Sequence, residues 1–387
     1  MYFELLDSGP KGRFSSQGIR EEHGRWWLLV MIIGALLCGC GVEKPAALRA
    51  ELVLVDTIRL AEPDTLFLGE FLTVTVTLNP FRLYVPDRRL HRVVVYDSLG
   101  RPLQVIGRPG FDEPGTLRRP FYVLVHGDRL YIDEAQGRFA LFRRDGRFIR
   151  WLYLPEGYGA TGRGALYTLD ASHLIVGSVA YAEPCASWFE PACEGTRVFS
   201  VVDTSLGRVT GRFGVYPALY QEKVVPGRWA MLDVLPREQR AAAVYELSPE
   251  VHFYRVYREG GELLGRVPLF HAQWRPLTEA IAPTLSREAM QAMALQVSHV
   301  RGVYFVGDTL VLAHFQNLRP EYFVGAGIDP MAVEAYGVLV SLSGMWQQAL
   351  RLPGPVLGRD EAFHLYIRLS DEPGRRLIGR YRVVLKQ

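Results

Sequence analysis

Val93–Leu154 reads VVVYDSLGRPLQVIGRPGFDEPGTLRRPFYVLVHGDRLYIDEAQGRFALFRRDGRFIRWLYL. Two short alternating strands meet at a tight turn on Gly100. A Gly/Pro-rich link follows, and then four further strands meet at turns of the same kind. A pattern that recurs in this way marks a unit that stacks on copies of itself. Working outward, the strand, glycine turn, strand form returns at Gly146, Gly207, Gly261 and Gly344, at successive intervals of 46, 61, 54 and 83 residues. The shortest interval is close to the repeat of about 40–45 residues of a four-stranded propeller blade. The longer intervals contain visible insertions.

The fold expected from this rhythm is all-β, a six-bladed β-propeller of four-stranded blades over residues 51–387. The blades fall near 71–106, 121–153, 164–213, 227–267, 297–352 and 356–385, and the insertions leave five or seven as the other counts. The strand 51–60 (ELVLVDTIRL) precedes the first blade and has no blade of its own. A ring must close or expose sheet edges, so this strand is expected as the outer strand of the last blade. One short helical insertion is expected at Ser286–Ser298 (SREAMQAMALQVS), with Ser286 as N-cap and Glu288 in the first turn.

Composition supports a large core: of 387 residues, 49% are apolar and 12% aromatic. The net charge of +3 and the absence of any basic run with interleaved aromatics exclude nucleic acid as the expected partner.

Residues 1–39 read as a targeting segment. Trp26–Gly39 (WWLLVMIIGALLCG) is shorter than the roughly 20 residues of a membrane span, follows Arg20 and Arg25, and fits a signal-peptide core. It ends in Leu37-Cys38-Gly39-Cys40, which resembles the bacterial lipobox, with a mild departure at Cys38. The resemblance implies cleavage before Cys40, a lipid on its thiol, and stable anchoring of the chain to a membrane through residues 40–50 as a tether. The location expected is the extracytoplasmic face of a bacterial cell envelope, periplasmic or at the surface. An ordinary cleaved signal or a short anchor is the other reading. Cys185 and Cys193 flank ASWFEPA, and in an oxidising compartment that spacing suits a loop disulfide, with two free thiols as the alternative.

The link with its following blade is similar to the NHL-type repeat, on Gly107, Gly110, Gly115, Pro120, Leu130-Tyr131-Ile132-Asp133, Arg138-Phe139 and Asp145-Gly146. Leu83-Tyr84-Val85-Pro86-Asp87 repeats the key strand one blade earlier. GRPGFDEPGTLRRP also resembles the link of six-bladed propeller lipoproteins of the Bacteroidetes group. Structural duties account for these residues. Asp87 and Asp133 stand at strand ends, where a carboxylate accepts N–H groups of the next turn.

No catalytic constellation is legible. The nine histidines are scattered without metal-ligand spacing, and there is no GxSxG, P-loop or dinucleotide fingerprint. No catalytic residue, metal or cofactor is therefore assigned. Glu70, His126, Asp170, Asp233, His299 and Asp360 lie near inner-strand ends, where a metal-holding propeller would place its ligands. Trp188 and Phe189, on the inserted loop between the two cysteines, form a possible recognition loop for a protein or glycan partner. The function expected is that of an anchored binding or scaffold module. The alternative is a metal-dependent propeller hydrolase or lyase with an axial site. Cys40→Ala is expected to abolish acyl labelling and to leave unprocessed precursor. Continued incorporation of labelled palmitate would remove the lipid anchor.

Overall fold

Successive residues of the repeat strand are buried on opposite sides. In Phe81–Asp87, Leu83 and Val85 join a cluster with Leu357, Tyr366 and Ile378, whereas Tyr84 joins one with Leu117, Val123 and Leu130. A strand apolar on both faces belongs to a sheet covered on both faces. The structure, a computed structural model, describes residues 48–134, 138–153, 158–160, 166–180, 192–222, 228–278, 286–325 and 327–386.

Among the described residues, four sheets are separate, four-stranded and antiparallel. The first comprises Thr75–Leu78, Phe81–Asp87, Arg92–Tyr96 and Pro102–Ile106. The second comprises Tyr122–His126, Arg129–Asp133, Arg138–Arg143 and Phe148–Tyr153. A helix-bearing sheet holds Ser298–Phe305, Leu310–Leu318, Val333–Ser341 and Gln347–Arg351. The closing sheet holds Val356–Arg359, Leu365–Ser370 and Leu377–Lys386, with Arg49–Arg59 beyond them as its outer strand.

The expectation of six separate four-stranded blades is corrected here. The remaining strands merge into one nine-stranded sheet. One half runs through Leu166–Thr168, His173–Ala180, Arg197–Asp203 and Arg208–Phe213, with Tyr158–Ala160 also paired to His173–Ala180. The other half runs through Ala230–Leu235, Arg240–Tyr245, Ser248–Tyr257 and Gly260–Pro268. A single parallel pair, Arg212 with Gly260, joins them. Glycine is the physical reason. A Cβ on Gly211 would lie 2.1 Å from the Glu259 carbonyl carbon, and Gly260 adopts φ +139°. The two outer edges touch because no side chain separates them.

Each sheet packs face to face on its neighbours. Apolar clusters join closing to first, first to second, second to merged, merged to helix-bearing, and helix-bearing to closing sheet. A further cluster fills the seam between the two halves of the merged sheet. This is a propeller-like, all-β arrangement. The N-terminal segment locks it where the two chain ends meet. Leu60 N donates to Arg376 O at 3.0 Å, and Ala61 N donates to Gly100 O at 2.8 Å. The buried Arg376 guanidinium reaches the Glu62 carboxylate and donates to Leu68 O at 2.7 Å. Across the next seam, Val74 N donates to Leu357 O at 3.0 Å.

Two helices stand among the described residues where one was expected. Helix α1 (Ala218–Glu222) places Tyr220, fully buried, in a stack 5.1 Å from Tyr216. Helix α2 (Arg287–Gln296) starts at the expected cap: the Ser286 side chain accepts from Ala289 N at 3.2 Å. Its Ala294 and Leu295 pack on Leu318, Tyr322, Ala332 and Val333, at the base of the insertion 319–332. Among the described residues, no helix is long and apolar enough to cross a membrane.

Leu60→Ala, at a fully buried site, is expected to cost about 2–5 kcal/mol. Deleting residues 49–59 is expected to cost more, because the closing sheet also loses its outer strand. Thermal unfolding checks both, and a truncated chain that melts with the full one would refute the locking role.

Candidate functional site

The first strand of each meander runs along the axis, and there the sheets leave a cavity of about 290 Å³. Every sheet contributes to its wall. Thr73 precedes the first strand of the first sheet, Tyr122 comes from the second, and Tyr167 and Asp233 come from the two halves of the merged sheet. Tyr304 comes from the helix-bearing sheet and Arg359 from the closing sheet. Leu72, Leu124, Met231, Val303, Val356 and Leu357 supply apolar wall between them.

Asp233 is 1% exposed, and its carboxylate accepts four hydrogen bonds. The Arg359 guanidinium donates from Nε to Oδ2 and from Nη2 to Oδ1 at 2.9 Å. Phe305 N donates to Oδ2 at 2.7 Å and Val234 N to Oδ1 at 2.8 Å. Arg359 also donates to Val234 O at 3.0 Å and to Asp360 O at 3.1 Å. This bidentate pair ties the merged, helix-bearing and closing sheets together at the axis. Burial opposes the Arg359 charge, but the Asp233 carboxylate outweighs it and raises the pKa.

Asp360 is likewise 1% exposed and fully occupied. Its Oδ1 accepts from Ala362 N and His364 N, both at 2.9 Å, and its Oδ2 meets His364 Nδ1 and the Tyr366 hydroxyl, both at 3.0 Å. Arg301, also on the wall, donates to Glu246 Oε1 at 2.6 Å. Asp233, Asp360 and Arg301 are thus each met by partners within the chain, whereas Glu361, also on the wall, is exposed.

What the cavity presents is phenolic. Burial raises the pKa of Tyr122, Tyr167 and Tyr304. The Asp233 carboxylate raises each further, and Tyr122 adds to the effect at Tyr167 and Tyr304. All three hydroxyls stay protonated at any physiological pH. The Tyr122 and Tyr167 rings lie 6.1 Å apart, and the Tyr304 hydroxyl donates to Val356 O at 3.3 Å.

No protein-family model matches this chain, and no curated protein matches it in sequence. Solved structures resemble it in fold. A member of the DUF4221 family from Bacteroides vulgatus superposes with a TM-score of 0.62 at 11% identity, over 87% of this chain and 99% of that one. A presumed exported protein from Bacteroides fragilis gives 0.56 at 14% identity, over 87% and 96%. At these identities the likeness concerns the fold. The resemblance to the NHL repeat is carried by no family match.

Of the six polar residues placed near inner-strand ends, Asp233 and Asp360 line the cavity. The other four do not line it. Glu70 pairs with Arg88 at 3.1 Å. His126 meets Ala171 O at 3.1 Å. Asp170 accepts from Ser172 N and His173 N, and His299 Nδ1 lies 3.2 Å from Glu246 Oε1. Among the described residues, no group of three His, Cys, Asp or Glu could hold a metal ion. Cys40, Cys185, Trp188 and Phe189 lie outside the described residues; Cys193 lies within them. Tyr122, Tyr167, Tyr304 and Arg359 escaped the sequence reading. The one available signal is that each stands on the first strand of its meander.

His314 is fully buried behind the wall, with its Nε2 3.3 Å from the Gln316 amide nitrogen. Burial, followed by the Arg301 charge, lowers its pKa to about 3. The unfolded chain therefore takes up this proton first. The stability that His314 contributes is complete above its unfolded pKa of about 6.5 and is lost as pH falls toward its folded value. The expected slope within that window is one proton, about 1.4 kcal/mol per pH unit. Denaturant unfolding at pH 6 and pH 5 should show this slope in the wild type and its removal in His314→Leu.

Proposed function

We propose that the protein is an exported, lipid-anchored binding module and not an enzyme, reading its ring as six blades with the merged sheet counted as two. The commitment of the wall carboxylates carries this reading. Asp233 and Asp360 each have four donors, so neither has a lone pair left for a metal or for a substrate proton. A hydrolase or lyase that used the buried carboxylates of the axis would need at least one of them available; the third wall carboxylate, Glu361, is exposed. The six-blade count is supported by the two four-stranded halves of the merged sheet and by the apolar seam between them.

Topology supports the choice of binding face. Helix α2 immediately precedes a first strand, Ser298–Phe305, and the insertion 319–332 leaves from Leu318, beside Asn317, which pairs with Ser298. The connection that carries Cys185, Trp188 and Phe189 runs between Ala180 and Arg197, which pair with each other. Ala180, Arg197 and Leu318, the described residues that flank these segments, lie at the end of the ring where first strands begin. Tyr322 and Pro330 of the insertion also border the axial cavity. The partner is a protein or a glycan, gripped by this face. A bridge between Cys185 and Cys193 would stiffen the Trp188–Phe189 loop, and the disulfide-bonded state of Cys193 supports it. Anchoring at Cys40 and an extracytoplasmic location rest on the lipobox resemblance, and a structurally similar protein is itself named as exported.

The test places a photoreactive amino acid at position 188, or at the exposed Asp145 turn on the opposite end, and irradiates intact cells. A discrete adduct from position 188 alone is expected. Equal adducts from both positions, or from neither, would count against the reading. So would one tightly held equivalent of calcium or zinc, by elemental analysis, accompanied by hydrolysis of a lactone.

A further inference from the structure

We infer that the axial cavity takes the uncharged terminal sugar of a glycan. The inference rests on the binding reading above and adds the class of ligand and its seat. A ligand at the axis must match four properties of the wall, and they point one way.

The first is size. Small-molecule pockets run from about 300 to 1,000 Å³, and this one, at about 290 Å³, suits one or two rings. The second is charge. Arg359 answers Asp233, Arg301 answers Glu246, and Asp360 is held by His364 and Tyr366. These buried charges are already met, and the exposed Glu361 is the wall's remaining carboxylate, so an anionic ligand above all would enter as an unbalanced charge. The third is hydrogen-bonding type. Tyr122, Tyr167 and Tyr304 bring protonated phenols to the same space, from three different sheets. A hydroxyl both donates and accepts, so phenols suit a ligand that is itself made of hydroxyls. Tyr304 already donates to Val356 O, and Tyr122 bonds Tyr167 and Thr75, but each hydroxyl keeps further hydrogen-bonding capacity that an acyl chain or an apolar ring would leave unused. The fourth is surface. Aromatic rings and aliphatic wall from Leu72, Leu124 and Leu357 can cover the C–H faces of a pyranose while its edges meet the phenols.

The cavity is fixed in place by backbone economy. A Cβ on Gly302 would fall 2.4 Å from the Tyr304 hydroxyl, so glycine at that position keeps the phenol where it is. The pair of Asp233 with Arg359 then sets the spacing of three of the contributing strands. Neither feature requires a ligand to form, so the site is preorganised.

A printed array of neutral and acidic glycans, probed with the fluorescently labelled full protein, tests this directly. The expected result is retention on neutral glycans that share a terminal residue, and none on their sialylated or uronic forms. Tyr122→Phe with Tyr167→Phe removes two hydroxyls at unchanged ring shape, and each hydroxyl is worth roughly one hydrogen bond. The doubly substituted protein should bind the retained glycan about tenfold or more weakly by calorimetry, while melting as the wild type does. Three results would overturn the inference: no retention on any neutral glycan, preference for acidic glycans, or undiminished binding by the doubly substituted protein. The last, together with a position-188 adduct, would move the ligand to the inserted loops and leave the binding reading standing. Turnover of a bound saccharide would instead overturn the binding reading itself.

Discussion

The structure depends on one constraint: a set of sheets apolar on both faces is stable only if the last sheet meets the first. Every seam but one is made between neighbours in sequence. The exception joins Leu357, Tyr366 and Ile378 of the closing sheet to Leu83, Val85 and Tyr96 of the first. That seam carries the entropic cost of bringing the chain ends together. The devices gathered there answer to this cost. The strand Arg49–Arg59 extends the closing sheet, Leu60 is fully buried, and Arg376 is held by Glu62 and by backbone carbonyls of the opposite end. An arginine suits this place because its planar fork serves several acceptors at once. The Arg376 charge is 4% exposed and is paired with both Glu62 and Asp371, so removing Glu62 would take away the partner from the opposite chain end and leave Asp371 alone to compensate it.

The axis obeys the same logic with polar groups. First strands from different sheets approach there, and their wall includes charges that water reaches poorly. The buried carboxylates Asp233 and Asp360 are each met four times over within the chain. The lone pairs of these two carboxylates are already in use. Phenols and apolar side chains make up much of the remaining wall. Catalysis in a propeller axis would call for the reverse arrangement, with carboxylates held on one side and open on the other.

The architecture was legible where a residue type has one physical use. Gly100 and Gly146 adopt φ of +74° and +84°, and such turns are what glycine is for. Asp87 accepts from Arg89 N and Leu90 N, as a strand-end carboxylate should. Ser286 caps α2 for the same kind of reason. Legibility failed where meaning depends on distant partners. Asp233 could not be told from Asp170 in the sequence, because the group that gives it meaning, Arg359, lies 126 positions away. The tyrosines were hidden differently: on an inner strand, an aromatic residue facing the axis has the same pattern as one facing the next sheet. The merging of two meanders was equally hidden, because Gly211 and Gly260 look in sequence like any other glycines near strand ends.

The glycines of the inner strands bear on why a cavity exists at all. A Cβ on Gly358 would lie 2.3 Å from Val74 O, and one on Gly302 would strike the Tyr304 hydroxyl. The backbones approach so closely that the seams can take no more side chain, and the space left over collects on the axis. An apolar void of that size would cost stability in proportion to its volume. Phenols on the wall change the balance, because water can occupy the space and satisfy them. A ligand that replaces such water must reproduce its hydrogen bonds or lose affinity.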